Sequence, residues 1–298
     1  MIHTSEELML RQKYPLDLKI EMSVLRIMEW YKEHHGEVYV AFSGGKDSTV
    51  LLDLVRSVYP EVPAVFSDTG LEYPEIRKFV KTIPNVTWIK PKMQFPEVIK
   101  KYGFPVVSKE QSQYIQECQK ATKTNFFTRR KRLTGINSQG IQTKSGMISK
   151  KWKYLIHAPF KISHKCCDAL KKRPFHKYEK TTRRKAFIGT MATDSMLRKQ
   201  SFIRFGCNMT NKKHSRPMMF WTEKDVWEYI KIKGLSYSEI YDMGESRTGC
   251  MFCAFGITRE KGENKFQRMK KTHPKIWNYC INKLGLKEVL DYINVDYN

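Results

Sequence analysis

Residues 38–55 join an apolar run of β-branched and aromatic residues to a helical pattern through a turn with two adjacent glycines. Residues 38–42 fit a buried strand, and after Asp47 the apolar residues fall on one face of a helix. Glycines let backbone N–H groups approach an anion closely, and the positive end of a helix dipole favours negative charge. The segment therefore predicts a cradle for the phosphates of a nucleotide. Its candidate ligands are Ser43, Gly44, Gly45, Lys46, Asp47 and Ser48.

An ordinary strand-to-helix turn of small residues is the plain alternative to a phosphate cradle. The strand before the turn and the helix after it count against that alternative, because they supply the context that such a motif requires. The loop of kinases and GTPases is also excluded, since the four residues between its two glycines are missing here.

The order of strand, loop and helix recurs along the chain. Further strands are predicted at 64–67, 86–89 and 186–190, and helices at 74–80, 95–102, from 194 and at 222–230. This alternation predicts an α/β fold with a doubly wound parallel sheet, and a ligand at the carboxyl ends of the strands. Residues 1–35 are predicted to form N-terminal helices, and residues 261–298 a helical C-terminal extension.

Basic residues are concentrated in the middle of the chain. The formal net charge is +24, and residues 119–185 hold 20 Lys and Arg against 2 acidic residues. Aromatic residues are interleaved with this charge, a composition typical of nucleic-acid surfaces. The alternative is a solvated basic insertion over 119–160, which we expect to be partly mobile, with an irregular loop over 122–151. The candidate nucleic-acid contacts are Arg129, Arg130, Lys131, Arg132, Lys150, Lys151 and Lys153.

Seven cysteines in a chain of this kind favour metal or redox chemistry over a disulfide framework. The adjacent pair Cys166 and Cys167 and the C-x-x-C pair Cys250 and Cys253 together offer four thiolates. Four thiolates suit either a zinc ion or an iron–sulfur cluster. Two buried structural cysteines are the alternative for the first pair, and its polar neighbours count against that. Cys118 and Cys280 carry no motif, and Cys207 fits either core filler or a redox thiol.

The chain contains no run of about 18 apolar residues that could span a bilayer. Its N-terminus lacks the apolar core of a signal peptide. We therefore expect a soluble cytoplasmic protein with no membrane partner.

Five segments resemble motifs of the phosphoadenosine phosphosulfate reductase family, over approximately residues 36–260. The hexapeptide at 43–48 resembles the PP-loop of the ATP pyrophosphatase superfamily to which that family belongs. The other four segments are Ser67-Asp-Thr-Gly-Leu-Glu-Tyr-Pro-Glu75, Gly189-Thr-Met-Ala-Thr-Asp-Ser-Met-Leu-Arg198, the helix at 217–230, and Arg247-Thr-Gly-Cys250.

The resemblance implies an adenine nucleotide alpha hydrolase-like fold that binds ATP or a sulfonucleotide, with Mg²⁺. It also favours a [4Fe-4S] cluster over zinc at the four paired cysteines, because iron–sulfur members of the family share adjacent cysteines followed far downstream by C-x-x-C. The implied catalytic residues are Lys46, Asp47, Asp68 and Arg198. Further implied nucleotide contacts are Thr69, Gly70, Gly189, Thr190 and Ser195.

One departure from the family pattern separates the functional alternatives. Reductases of the family carry a catalytic cysteine in a short C-terminal motif, whereas the nearest cysteine here is Cys280, within a helical pattern. The first hypothesis is therefore adenylation of a nucleic acid, DNA rather than RNA, followed by sulfur incorporation. It implies a sulfur donor such as a cysteine desulfurase, and a homodimer is compatible with it. The second is a cluster-bearing sulfonucleotide reductase, and the third an inactive regulator that binds nucleotide and nucleic acid.

Overall fold

A computed structural model describes residues 3–143, 145–209 and 214–298. Its centre is a six-stranded sheet of order β3-β2-β1-β5-β7-β6, in which β6 alone is antiparallel to its neighbour. The parallel α/β sheet predicted from the sequence is thus confirmed. The strands of this sheet are β1 (Val38–Phe42), β2 (Ala64–Ser67), β3 (Val86–Ile89), β5 (Lys185–Ile188), β6 (Asn208–Met209) and β7 (His214–Ser215).

Two further strands form a small parallel sheet beside the main one. β4 (Val106–Val107) pairs with β8 (Ala254–Phe255), and Phe104 forms an isolated bridge to Ile162. These pairings bring the chain before Cys166 and the chain after Cys253 to the same place.

Helices surround the sheet and make up most of the remaining structure. They are α1 (Ser5–Gln12), α2 (Leu16–Glu33), α3 (Lys46–Arg56), α4 (Pro74–Thr82), α5 (Phe95–Tyr102), α6 (Lys109–Gln119), α7 (Phe126–Thr134), α8 (Arg173–Thr182), α9 (Met196–Phe205), α10 (Glu223–Lys233), α11 (Lys265–Thr272), α12 (Pro274–Asn278) and α13 (Leu286–Tyr292). None of the helices in the described residues is long and apolar enough to cross a membrane.

Both faces of the sheet are covered, as the doubly wound arrangement requires. On one face, α3 buries Val50, Leu51 and Val55 completely in the main core. On the other face, Tyr39 packs against Phe175 and other residues of α8. Because both faces are dry, the polar ends of the strands are the part of the sheet left for a ligand.

The structure corrects the sequence interpretation of residues 122–151 as an irregular loop. A helix, α7, covers Phe126–Thr134 and ends at Gly135, whose left-handed backbone closes it. Arg132 anchors this helix through Glu117 at 2.6 Å and through the ring of Tyr114. Lys and Arg, which favoured a loop in the sequence interpretation, are also good helix formers. The helix that they form packs against α6.

The N-terminal helices are tied to the domain by a buried ion pair. Lys19 of α2 is 1% exposed, and its Nζ lies 2.7 Å from both Asp225 Oδ2 and the Gln12 carbonyl oxygen. Asp225 also accepts the backbone N–H and hydroxyl of Thr222, which caps α10. The pair therefore fixes α2 against the start of α10.

Replacing Lys19 with Met should destabilise the fold by about 3–5 kcal/mol, because the carboxylate of Asp225 would remain buried without its cation. Urea unfolding would measure this loss. The matched control is Lys32→Met, at an exposed position of the same helix, for which a change within about 0.5 kcal/mol is expected. Equal stability of the two variants would show that the pair does not hold α2 in place.

Candidate functional site

The turn between β1 and α3 has the backbone shape of an anion cradle. Gly44 adopts a φ of +72°, and a methyl group there would lie 2.7 Å from the side chain of Val80. A methyl at Gly45 would lie 2.5 Å from Thr248 Oγ1 and 3.1 Å from Tyr241 Oη. Both positions therefore exclude any side chain, since real Cβ atoms do not approach other atoms so closely.

Hydroxyl groups fix the shape of this turn from within. The Ser43 backbone N–H donates to Ser48 Oγ at 3.2 Å, and the two serine hydroxyls lie 3.0 Å apart. Ser48 and Thr49 both donate to the Gly45 carbonyl oxygen. Ser43 and Ser48, predicted as donors to a phosphate, thus also support the loop itself.

Lys46 is buried beside the loop rather than extended into solvent. It is 4% exposed, and its Nζ lies 3.1 Å from Glu223 Oε1 and 3.1 Å from the Ser246 carbonyl oxygen. Its ammonium group also faces the rings of Trp227 and Tyr241 at 5.9 and 5.3 Å. The positive charge is therefore held at a fixed point next to the glycines.

Asp47 follows Lys46 and is the least satisfied polar group of the loop. Burial raises the pKa of its carboxyl group, and the ammonium group of Lys46 opposes that rise. Its Oδ1 is buried and has no hydrogen-bond partner within the described part of the chain, with Lys46 Nζ 3.9 Å away. A buried carboxylate oxygen without a donor is costly, and a bound cation would relieve that cost.

The loop after β2 holds the predicted residues Asp68, Thr69 and Gly70. Asp68 is 7% exposed and pairs with Arg77 at 2.9 Å, while the Thr69 hydroxyl donates to Glu72 at 2.8 Å. All three predicted residues, with Leu71 and Arg77, line an open cavity of about 350 Å³.

The loop after β5 has a different role at each predicted residue. A methyl at Gly189 would lie 2.9 Å from the Asp47 carbonyl oxygen, so this glycine lets β5 pack against the start of α3. Ser195 caps α9 by accepting the N–H of Arg198, whose guanidinium pairs with Asp194. The Thr190 hydroxyl contacts the sulfur of Met219. Gly189 thus lies against the phosphate loop. Thr190, Ser195 and Arg198 instead contact neighbouring residues of the protein.

The four predicted metal-ligand cysteines line one narrow cavity of about 20 Å³. The Sγ atoms of Cys166 and Cys167 lie 4.0 Å apart at the start of a π-helical turn, and Cys250 and Cys253 come from the segment before β8. The remaining walls are Leu71, Phe95, Pro105, Leu170 and Lys171. The folded chain therefore gathers thiols that lie far apart in the sequence.

The 4.0 Å between the Sγ atoms of Cys166 and Cys167 would suit two ligands of one zinc ion, but the four thiols are not gathered around one point. A tetrahedral zinc site places each sulfur about 2.3 Å from the metal. Within residues 3–143, 145–209 and 214–298, no group of three or more His, Cys, Asp or Glu side chains is placed to hold one ion. A cubane cluster binds each sulfur to a different iron and so accepts a wider separation. The donor set of four thiols on one cavity fits such a cluster in its chemistry.

The surroundings of the cavity act in opposite directions on its thiols. The hydrogen bond between Cys166 and Cys167 lowers the pKa of Cys167 to about 6 and raises the pKa of Cys166. Burial raises the pKa of Cys250, and it raises the pKa of Cys253 to about 11. Lys171 contacts Cys250, whose charge raises the pKa of the Lys171 ammonium group. Lys265 donates to the carbonyl oxygens of Cys250 and Cys253. Two lysines thus offset the negative charge that thiolates would bring.

A single segment, residues 241–253, connects the phosphate loop to the thiol cavity. At one end, Tyr241 Oη accepts the Lys46 N–H at 2.8 Å. At the other end, the Met251 N–H donates to the Leu71 carbonyl oxygen at 2.9 Å, and Leu71 lines both the thiol cavity and the open cavity beside Asp68. The two predicted sites are therefore neighbours in one site.

Comparison with known proteins identifies the family of this chain. The model of the phosphoadenosine phosphosulfate reductase domain matches residues 37–140 and 109–255. The chain belongs to the phosphoadenosine phosphosulfate reductase family. The matched residues include the phosphate loop, the loops after β2 and β5, and all four cavity cysteines.

Relatives of this family member differ in length and name. It is 26% identical to an uncharacterised protein of Methanocaldococcus jannaschii, covering 89% of this chain but only 53% of that protein. This chain thus spans about half the length of that relative. It is 25% identical to the adenosine 5'-phosphosulfate reductases of Lysinibacillus sphaericus and Geobacillus kaustophilus, covering 77% and 83% of this chain and 78% and 86% of theirs.

A solved structure also aligns with this family member. The phosphoadenylyl-sulfate reductase of Candida auris, in a phosphate complex, aligns with a TM-score of 0.45 at 16% identity, covering 84% of this chain and 97% of that one.

The predicted nucleic-acid residues divide into three groups. Arg132 binds Glu117 and the Gly146 carbonyl oxygen, and Lys153 donates to the Leu133 carbonyl oxygen, so both support the fold. Lys150 and Lys151 are exposed. Arg129, Arg130 and Lys131 are half-buried on α7.

The three remaining cysteines are all buried in the core. Burial raises the pKa of Cys280 to about 11 and of Cys207 to about 12, and it also raises that of Cys118. None of the three is placed as an accessible nucleophile.

Sequence reasoning missed several residues of this site. Tyr241 and Thr248 contact the phosphate loop, and Lys171 and Lys265 flank the thiols. Thr248, Lys171 and Lys265 lie on the same stretches of sequence as the predicted cysteines, and that proximity is the one signal that could have suggested them. The contact of Tyr241 depends on long-range packing rather than on a local pattern.

Replacing Gly45 with Ala should abolish nucleotide binding, because the added methyl overlaps Thr248 and would displace the segment that packs on the phosphate loop. Isothermal titration with ATP would measure the affinity. The matched control is Gly249→Ala, since a methyl there meets nothing within 4 Å. Normal ATP affinity in folded Gly45→Ala protein would contradict the assignment of this loop.

Proposed function

We propose that this family member activates a nucleic acid with ATP at the phosphate loop and incorporates sulfur with the help of the four-thiol cavity. The observation that carries the proposal is the segment at 241–253, which joins the Lys46 backbone to Cys250 and Cys253. A fixed connection of this kind suits a reaction in which nucleotide and sulfur must meet.

The phosphate loop supplies the groups that ATP would need. The ammonium group of Lys46 would exchange Glu223 for the polyphosphate, where positive charge stabilises the charge that develops on departing pyrophosphate. The loop N–H groups that donate to Ser48, Ser43 and Tyr241 would likewise have to turn to the phosphates. Arg198, 40% exposed at its side chain, would have to exchange Asp194 for a phosphate.

The carboxylates differ in how well they suit Mg²⁺. Asp68 is already paired with Arg77, whereas Asp47 carries a buried oxygen without a donor. Mg²⁺ prefers oxygen ligands and is commonly held by one or two carboxylates together with substrate phosphates. Asp47 is therefore the stronger candidate of the two.

The cavity cysteines would hold a [4Fe-4S] cluster, which supplies sulfur or electron chemistry when bound. Lys171 and Lys265 would balance part of its negative charge, and the apolar walls at Leu71 and Phe95 would keep water away.

The chemistry balances in three steps. An oxygen of the nucleic acid attacks the α-phosphorus of ATP, a P–O bond forms, and pyrophosphate leaves. The terminal sulfur of a persulfide, supplied by an external donor such as a cysteine desulfurase, then attacks the activated nucleic acid and displaces AMP together with the adenylated oxygen. A thiol reductant cleaves the remaining S–S bond, which leaves the sulfur on the nucleic acid and releases the donor's thiol. This chain's basic central residues would hold the nucleic acid, with DNA as the first candidate.

Incubation of the anaerobically purified protein with ATP should release pyrophosphate, and single-stranded DNA should stimulate that release. Coupled enzymatic detection of pyrophosphate measures the rate, and Lys46→Gln should reduce it by at least about a hundredfold because the charge facing the polyphosphate is lost. Lys32→Gln is the control for charge alone. Absence of pyrophosphate with every nucleic acid tested would contradict the proposal.

A sulfonucleotide reductase is the second candidate, supported by the relatives named adenosine 5'-phosphosulfate reductase at 25% identity. Among the described residues, every thiol outside the cavity is buried, so this reaction would need an external thiol or dithiol as reductant. Consumption of adenylyl sulfate with formation of sulfite, without pyrophosphate release from ATP, would favour this candidate. If the protein shows neither activity, the third hypothesis, a regulator that binds nucleotide and nucleic acid without catalysis, is favoured.

Protein purified without oxygen should absorb light near about 400 nm, as thiolate-bound iron–sulfur clusters do. Both Cys166→Ala and Cys250→Ala should lose the band, since each removes one ligand of the cavity. Cys118→Ala, which alters a buried cysteine away from that cavity, should retain it. Stoichiometric zinc and a colourless protein would contradict the cluster.

A further inference from the structure

A groove of about 700 Å³ lies between the ends of α5 and α6 and the segment at 156–162. Its volume is within the range of about 300–1,000 Å³ that is usual for ligand sites. Most of its lining belongs to the basic segment at 119–185, for which the sequence predicts a nucleic-acid surface. The lining residues used below are Lys101, Tyr102, Lys120, Asn125, Phe160 and Lys161.

The groove is positively charged. Lys101, Lys120 and Lys161 are exposed on its walls, and its lining contains no carboxylate. In the part of the chain that the structure describes, none of these three lysines forms an ion pair. Three free cations facing one space are complementary to a polyanion.

Aromatic rings stand inside the groove and at its rim. Tyr102 and Phe160 belong to the lining, and α7 begins directly after Asn125 with Phe126 and Phe127. These two phenylalanines are 60% and 54% exposed, and their rings meet edge to face with centroids 5.4 Å apart. Exposed adjacent rings suit the stacking of unpaired bases. An acidic peptide, the other polyanion that could enter the groove, has no bases to stack on them.

The groove lies beside the thiol cavity. The carbonyl oxygen of Lys161 accepts the Phe104 N–H at 2.8 Å, and the chain reaches Cys166 five residues later. The ammonium group of Lys165 lies 5.6 Å above the ring of Tyr102. A ligand in the groove would therefore contact the segment that leads into Cys166.

We propose that this groove, lined by Lys101, Lys120 and Lys161 and flanked by Phe126 and Phe127, binds a single-stranded nucleic acid. The proposal rests on the proposed function and names the place where its substrate is held. Lysines bind the phosphates, and the phenylalanine pair stacks on bases at the rim. Duplexes are disfavoured because their bases are already stacked on one another.

Fluorescence anisotropy of the 298-residue chain with a labelled single-stranded DNA of about 16 nucleotides tests the proposal. Replacing all three groove lysines with Gln should weaken binding at least about tenfold at about 0.1 M salt. It should also reduce the slope of log affinity against log salt by about 2, because each phosphate contact contributes about 0.7. All three positions are exposed, so the variant should fold.

The matched control replaces Lys32, Lys231 and Lys287, three exposed lysines outside the groove, and removes the same charge. It should leave the slope within about 0.5 of the original. Phe126→Ala combined with Phe127→Ala should weaken binding by about fivefold or more without changing the slope.

Several outcomes would overturn the proposal. The first is that the groove and control variants weaken binding equally. The second is that the protein binds duplex DNA more tightly than single-stranded DNA. The third is that polyglutamate binds as tightly as DNA and is lost equally in the groove variant. The outcomes for the groove and for the chemistry are separable. If DNA binding depends on the groove but no pyrophosphate is released, only the proposed adenylation is contradicted. If DNA stimulates pyrophosphate release equally in the groove variant and the original protein, only the groove proposal is contradicted.

Discussion

The close approach of residues 241–248 to Gly45 is the contact on which the site depends. Gly45 has no side chain, so Thr248 and Tyr241 can pack directly on the phosphate loop. The same segment continues into Cys250 and Cys253, and Met251 ties it to Leu71. One short stretch of chain thereby sets the distance between the nucleotide loop and the thiols, and a side chain at Gly45 would disturb both.

Buried charge gives this site its chemical character. Folding places Lys46 and Asp47 in surroundings where unpaired charge is costly, and it provides Glu223 for the lysine but no donor for Asp47 Oδ1. Lys171 and Lys265 are similarly placed beside the thiols. Groups that are incompletely satisfied in the protein alone are those that gain most from a charged ligand, which is why the proposals centre on these residues.

The sheet, its helices and the phosphate loop could be predicted from the sequence because their signals are local. Alternating apolar runs and glycines gave β1, β2 and β3 with the bounds that the structure has. Helix α7 was missed because its stability comes from contacts such as Arg132 with Glu117 rather than from an apolar stripe. The role of Tyr241 could not be predicted, since it lies 195 residues from the loop that it contacts.

The N-terminal helices are joined to the site through α10. Lys19 holds Asp225, and α10 also carries Glu223 and Trp227, which surround the Lys46 ammonium group. The first helices are therefore a brace for the charge that would face the nucleotide, although they lie outside the sheet. A fusion partner or a proteolytic cut near residue 20 would loosen that brace, and weakened nucleotide chemistry would then be misattributed to the phosphate loop itself.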